Sequence, residues 1–234
     1  MVYHGRINMN PDGMAISSMG MLTQMAQLNT HTDNISNFGV PGYQRKTPVV
    51  TSFVEYLGPE AVEEGISTEI GRMRLSGNPL DIALNTRGYF QKLNADGSIE
   101  LTRDGRFKID AEGYLRASDG RAILSSAGTP VQLPAVPDDL KKGLKITPGG
   151  DIQVFDPRTG VVRSAGALGV VSKDGSAVAH MEIVQGYVED ANVNLQQEFV
   201  SLMPLRRQFE SNRQLFIIQS DVLSRMLQEL GRTS

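Results

Sequence analysis

The stretch LQQEFVSLMPLRRQFESNRQLFIIQSDVLSRMLQEL, residues 195–230, has a large apolar residue at every seventh position. These positions are Leu195, Leu202, Phe209, Phe216, Leu223 and Leu230. A seven-residue period places the side chains in one stripe along a long α-helix, and such a stripe packs against a second helix in coiled-coil geometry. We therefore predict a C-terminal helix that requires a helical partner.

A proline lies inside this predicted helix. Pro204 cannot donate a hydrogen bond to the carbonyl of Val200, at a cost of about 3 kcal/mol. Burying each large apolar side chain of the stripe contributes about 1.5–3 kcal/mol, and together these contributions exceed that cost. We expect helix on both sides of Pro204 with a kink nearby. The polar stripe positions Asn212 and Gln219 are of a type that fixes helix register at some cost in stability.

The N-terminal region has a matching period. Its apolar positions, also seven apart, are Met14, Met21, Leu28 and Ile35. Asp12 can cap the start of this helix, because its carboxylate suits the positive helix N-terminus. The sequence GVPG at residues 39–42 ends the helix. We predict that the two terminal helices pair as an antiparallel coiled coil.

The region between the helices has short apolar runs separated by turn dipeptides. Asp-Gly, at residues 96–97, 104–105 and 119–120, accommodates the positive φ angles of tight hairpin turns. The predicted strands are residues 82–84, 89–93, 99–101, 107–109, 114–116, 131–133, 144–147, 152–155, 161–163, 168–172 and 181–184. This pattern is typical of an all-β domain, either a sandwich or an irregular barrel.

The sequence thus predicts an α+β protein with an all-β central domain. Residues 1–46 and 186–234 form a discontinuous helical coiled-coil domain. Residues 47–65 form a connector, and residues 66–185 form the β-rich domain.

Composition excludes several classes of protein. The formal net charge is −3, so no strong basic field is available for nucleic acid. No apolar run approaches the length of about 18 residues that a membrane span needs. The sequence MVYHGRINMN at residues 1–10 lacks the apolar core of a cleavable secretory signal. The chain has no cysteine, which excludes disulfides, thiol catalysis and zinc–thiolate sites.

No group of residues supports catalysis. His4, His31 and His180 lie in three separate regions, without a second ligand at metal-binding spacing, so we interpret them as solvated or hydrogen-bonded side chains. The sequence has no GxSxG, phosphate-loop or HExxH motif. We predict no enzymatic activity, no cofactor and no metal site.

Three groups of motifs carry a family resemblance. The first is DNISN at residues 33–37 and the GVPGYQR that follows. The second is GNPLDIA at residues 77–83 with LTRDGRF at residues 101–107. The third is QGYVE at residues 185–189, which precedes the C-terminal heptad helix. In this order, and spread over nearly the whole chain, they resemble the bacterial flagellar rod and hook family of axial proteins.

This resemblance implies a self-assembling structural subunit of the flagellar basal-body rod. The terminal helices would form an inner tubular layer with the β domain outside it, and subunits would stack helically into a hollow shaft that spans the periplasm and transmits torque. The implied partners are further copies, other rod and hook proteins, and the flagellar type III export apparatus, which requires no cleaved signal peptide.

The subtype is an open point. The short β region and RRQFE at residues 206–210 resemble a proximal-rod protein more than a distal one. A distal-rod or hook-type axial subunit is the alternative within the family. A monomeric β-domain binding module is the alternative from another class.

We predict an assembly interface along both terminal helices and the turn that follows the first. Asn34 and Asn37 fall in the last turn of the first helix, where amide side chains can bond to free carbonyls and to the backbone of the next segment. Tyr43, after Gly42, offers a large ring for packing. The predicted interface residues are Met14, Met21, Leu28, Asn34, Ile35, Asn37, Gly42, Tyr43, Leu195, Leu202, Phe209, Phe216, Leu223 and Leu230.

Overall fold

The protein is described by a computed structural model that covers residues 12–50, 62–134, 143–156 and 159–232. The first ten residues, from which the lack of a secretory signal was inferred, lie outside these ranges. The helices are α1, Asp12–Ser36, and α2, Leu195–Arg232. The strands are β1 (Lys46–Val50), β2 (Val62–Ile66), β3 (Met73–Leu75), β4 (Ile82–Leu84), β5 (Tyr89–Leu93), β6 (Ile99–Thr102), β7 (Lys108–Ile109), β8 (Leu115–Arg116), β9 (Ala122–Ile123), β10 (Leu144–Ile146), β11 (Asp151–Asp156), β12 (Val161–Ala167), β13 (Val170–Val171), β14 (Ile183–Gln185) and β15 (Tyr187–Glu189). The predicted α+β class, with a mostly β centre between terminal helices, is confirmed.

The chain divides into two compact units. The helical unit combines Met1–Ser36, Lys46–Ile66 and Asn194–Ser234. The β unit combines Asn37–Arg45 and Ser67–Val193. The turn after α1 and the segment before α2 thus belong with the β strands, although both were predicted to belong with the helices.

The start of α2 is set by a side-chain cap. Asn194 Oδ1 accepts hydrogen bonds from the backbone N–H groups of Gln196, at 3.1 Å, and Gln197, at 3.3 Å. The helix continues through Pro204 to Arg232, so the expectation of helix on both sides of the proline is confirmed. Pro204 is exposed, which keeps its ring away from the packed side of the helix.

The segment interpreted as a connector contains two paired strands. β1 and β2 are antiparallel, and their register runs from Lys46 opposite Ile66 to Val50 opposite Val62. Part of the predicted connector is therefore a strand that contains Glu63 and Glu64. Oε2 of Glu64 lies 2.9 Å from Nζ of Lys46 across the hairpin. Residues 51–61 lie outside the described ranges.

The strands of the β unit pair in antiparallel sheets of two, three and six strands. One has the order β13-β5-β9-β8-β7 with β6 paired to β5, another the order β10-β11-β12, and β14-β4 and β15-β3 form pairs. Of residues 131–133, predicted as a strand, Gln132 makes one isolated bridge, with Tyr114. β3, β9 and β15 were not predicted, because they are two or three residues long and too short for a period-two pattern.

The core of the β unit collects the alternating apolar residues of these strands. Phe90 and Phe107 are fully buried and meet edge to face, with ring centroids 5.1 Å apart. Ile82, Leu84 and Ile123 are also completely buried. This buried apolar core contains residues from several sheets and therefore stabilises the β unit as a whole.

Candidate assembly interface

The two helices of the helical unit pack against each other in opposite directions. His31 of α1 contacts Glu198 of α2, with 2.6 Å between Nδ1 and Oε2. A Cβ atom placed on Gly20 would lie 2.8 Å from Nδ2 of Asn212. One placed on Gly13 would lie 3.0 Å from Nε2 of Gln219. Because residue numbers fall along α2 as they rise along α1, the packing is antiparallel.

The heptad stripe of α2 is covered along only part of its length. Leu195, Leu202, Phe209 and Phe216 are half-buried. Leu223 and Leu230, the last two members, are 40% and 67% exposed. They follow Gln219, the residue opposite Gly13 near the first described turn of α1. The described part of α1 therefore leaves the C-terminal end of the stripe uncovered.

The side of α1 that faces α2 is polar and small instead of apolar. The predicted stripe of Met14, Met21, Leu28 and Ile35 is only half-buried. The polar residues of α1 that are more than nine-tenths buried are Ser17, Thr23, Thr30, His31 and Asn34. Only Asn34 among these was a predicted site residue. The missed signal is a run of small and polar residues spaced alternately by four and three: Gly13, Ser17, Gly20, Gln24, Gln27 and His31.

A buried carboxylate lies at the centre of this packing. Glu198 is completely buried. Its Oε2 accepts a hydrogen bond from Nδ2 of Asn34 at 3.2 Å, besides its contact with His31. A buried carboxylate without hydrogen-bond donors is costly, so these two side chains of α1 compensate its loss of solvation. His31 was expected to be solvated or hydrogen-bonded, and its hydrogen-bond partner Glu198 is 167 positions away in the chain.

Asn34 also joins α1 to the β1–β2 hairpin. Its Nδ2 donates to the backbone oxygen of Lys46 at 2.7 Å, and its Oδ1 accepts from the backbone N–H of Lys46 at 2.8 Å. This pair of bonds agrees with the expectation that the Asn34 amide bonds to the backbone of the following segment. We call His31, Asn34, Lys46 and Glu198 the Glu198 cluster. It ties together α1, α2 and β1 within the helical unit.

A second set of apolar residues on α2 is exposed outside the heptad stripe. The set is Phe199, Val200, Met203, Ile217 and Ile218, which are between 43% and 67% exposed. At 100° per residue, Val200 and Ile218 lie on the side turned away from the stripe, and the other three lie on its flank. Large apolar residues exposed on a helix outside its packed stripe indicate an interaction surface. We call these five residues the outer face of α2.

The LTRDGRF motif folds around a buried ion pair in the β unit. Arg103 Nη2 lies 2.7 Å from Oε2 of Glu189, and both residues are 3% exposed. The remaining guanidinium donors reach the backbone oxygens of Leu84, Thr86 and Gly88. Arg103 thus joins the strands on both sides of the β4–β5 turn to β15.

The glycine that follows allows a close backbone approach. A Cβ atom on Gly105 would lie 1.7 Å from the backbone oxygen of Ile82, where no side chain can fit. The backbone N–H of Ile82 in turn donates to the oxygen of Gly105 at 2.9 Å. The two central motifs, GNPLDIA and LTRDGRF, are therefore hydrogen-bonded partners in the fold.

Asp104 and Arg106 perturb each other electrostatically inside this motif. Burial raises the pKa of the Asp104 carboxyl group, but hydrogen bonds from Arg106 and Ser118 lower it by more. The Arg106 bonds to Oδ1 and Oδ2 are 2.9 and 2.8 Å long. The net pKa of Asp104 lies below its ordinary value of 3.8.

Three predicted interface residues lie in the turn that follows α1. Asn37 accepts a backbone hydrogen bond from Val40 at 2.9 Å. Gly42 has a φ angle of +69°, which favours glycine, and its N–H donates to the oxygen of Glu189. The Tyr43 oxygen accepts from the N–H of Asn192 at 3.2 Å. The structure therefore places these residues in the β unit, apart from the predicted helix residues.

Two further findings limit the kinds of site. Within the described ranges, no helix has both the length and the apolar character to cross a membrane. The same residues contain no group of three or more histidine, aspartate or glutamate side chains that could share a metal ion.

Two models of known protein families match parts of the chain. The family described as "Flagellar hook protein FlgE/F/G D1 domain" matches residues 83–154, and "Flagellar basal body rod FlgEFG protein C-terminal" matches residues 184–229. The first match contains the Arg103 motif, and the second contains most of α2.

Full-length relatives agree with these matches. The chain is 25% identical to the flagellar basal-body rod protein FlgF of Mesorhizobium japonicum, over 95% of this chain and 99% of that protein. It is 28% identical to FlgF of Rhizobium meliloti, over 94% and 98% of the two chains. It is 24% identical to the rod protein FlgG of Buchnera aphidicola, over 91% and 97%. The chain belongs to the flagellar basal-body rod protein family, whose members are structural proteins and not enzymes.

Proposed function

We propose that this protein is a subunit of the flagellar rod that self-assembles helically into the hollow shaft that transmits torque. The outer face of α2 is the observation that supports this function. Five large apolar side chains outside the heptad stripe of α2 are exposed in the single chain, and contact with neighbouring subunits would remove them from water.

The proposal includes coiled-coil pairing of α1 and α2. Antiparallel contacts between the helices and the half-buried heptad positions of α2 support it. The partners are further copies of the chain and other axial proteins of the rod and hook. Export proceeds through the flagellar type III apparatus, and the assembled protein lies in the part of the rod that crosses the periplasm.

The finer assignment remains that of a proximal-rod subunit. Both FlgF and FlgG proteins match the chain over nine-tenths or more of its length, so the comparisons fit either type of rod protein. The short β region and the sequence RRQFE at residues 206–210 support the proximal type.

The decisive experiment replaces one residue of the outer face. Met203 is 63% exposed, so Met203→Asp should leave the single chain folded. Burying a methionine contributes about 1.5–3 kcal/mol, so its loss should raise the critical concentration for polymerisation roughly 10- to 150-fold. Pelleting of purified protein measures assembly, and swimming of complemented cells measures function.

Gln214→Asp is the matched control. Gln214 is exposed on the same face of α2, and it brings the same new charge without removing apolar area. It should assemble much more readily than Met203→Asp. Wild-type assembly and swimming by Met203→Asp would show that the outer face of α2 is not an assembly interface.

A further inference from the structure

The apolar heptad of α2 does not by itself determine where α1 lies along it. α2 has 38 residues and α1 has 25, so α2 is longer by more than one heptad. Shifting α1 by seven residues, about 10 Å, toward the C-terminal end of α2 keeps its full overlap. The same shift would bring α1 beside Leu223 and Leu227, which are 40% and 61% exposed.

Apolar burial alone therefore permits the shifted register, and another interaction must favour the observed one. In the shifted register His31 would lie opposite Leu205, which offers no hydrogen-bond acceptor. Glu198 would lose both His31 and Asn34 as partners. We infer that the buried His31–Glu198 pair, with Asn34, selects the register in which α1 and α2 pair.

The geometry of the cluster suits this positioning role. Glu198 is completely buried, His31 is 6% exposed, and their contact of 2.6 Å is made at one position along the helix pair. Buried polar groups in a helix seam fix register, because every other register leaves them unpaired. The facing side of α1 is small and polar, so it adds little apolar preference for one register over another.

Cysteine crosslinking in the isolated chain can read the register directly. The protein has no cysteine of its own, so an introduced pair is unambiguous. Gly20→Cys with Asn212→Cys reports the observed register, because those positions are in contact. Gly20→Cys with Gln219→Cys reports the register shifted by seven residues. Disulfide formation requires Cβ atoms about 3.8 Å apart, so each pair reports one register.

The perturbation is His31→Leu/Glu198→Leu, which replaces both partners by apolar side chains and leaves no unpaired charge. With the original pair present, the shifted cysteines should crosslink at a tenth or less of the yield of the observed-register cysteines. In the double-leucine background the shifted pair should rise at least fivefold. The exchange variant His31→Glu/Glu198→His should return the shifted pair to its low yield.

Thr30→Val is the matched control. Thr30 is a buried polar residue in the same turn of α1, and its hydroxyl bonds Ala26 and Glu64 instead of α2. It should leave crosslinking in the observed register. An unchanged low yield of the shifted pair in the double-leucine background would overturn the inference, since the chain connections alone would then fix the register.

Loss of helical circular dichroism in the double-leucine variant would overturn it as well, because the pair would then be needed for folding itself. These measurements use the single chain below its assembly concentration. Their outcome is therefore independent of the proposed polymerisation.

Discussion

Replacing Arg103 should destabilise the β unit more than replacing an exposed arginine does. Arg103→Met keeps a long apolar stem but removes the guanidinium. Glu189 would then be left 3% exposed without its cation. The backbone oxygens of Leu84 and Gly88 would lose donors at 2.9 and 2.7 Å.

The size of the loss follows from this burial. Removing one partner of a buried ion pair costs about 3–5 kcal/mol, because the other charge stays buried and uncompensated. A domain of this size is stable by about 5–15 kcal/mol, so the loss is a large fraction of the total. With a slope of about 1.5 kcal/mol per molar urea, the unfolding midpoint of the β unit should fall by about 2–3 M.

Arg74→Met is the matched control. Arg74 also pairs with a carboxylate, at 3.2 Å from Asp190, but the arginine side chain is 59% exposed. An exposed pair contributes about 0–1 kcal/mol, so its midpoint should move by less than about 0.7 M. Arg103→Lys should fall between these values, because lysine restores the charge but cannot reach all the acceptors.

Urea titration with hydrogen exchange on peptides from residues 82–107 reads the β unit separately from the helices. Equal midpoint shifts for Arg103→Met and Arg74→Met would refute the reasoning. They would show that burial of the Arg103–Glu189 pair does not set its energetic weight.

The other substitutions test the close contact between Gly105 and Ile82, the carboxyl group of Asp104, and Asn34 near the end of α1. Gly105→Ala should prevent the β unit from folding, because its Cβ would overlap the oxygen of Ile82, whereas Gly149→Ala has room and should fold; circular dichroism distinguishes them. Asp104 has a lowered pKa when folded, so its contribution to stability is present above the unfolded pKa of about 3.9 and is lost as pH falls through the lower folded value. The urea midpoint of wild type should therefore fall more between pH 5 and pH 2 than that of Asp104→Asn, and parallel curves would contradict this. Asn34→Ala should lower helical stability by about 1–3 kcal/mol through unpaired buried groups, measured by thermal melting at 222 nm, and an unchanged melting temperature would argue against it.

Local sequence signals predicted the helices and most strands of this protein. Helix periodicity and helix-capping residues can be read from a few neighbouring positions. The starts of α1 at Asp12 and of α2 at Leu195 were therefore predictable. The β1–β2 hairpin was missed because its acidic strand, Val62–Ile66, has no alternation of apolar and polar residues, and β15 because its partner β3 is more than a hundred residues away.

The sequence by itself determined the α+β class, the terminal helices, and the motifs that place the chain in its family. The tertiary structure alone decided which sides of the helices meet. The heptads predicted an apolar seam on both, but small and polar residues of α1 face α2, and Glu198 is buried between His31 and Asn34. The physical reason is that apolar periodicity specifies a stripe without a position along it. Hydrogen bonds between residues more than 160 positions apart form only when the whole chain has folded.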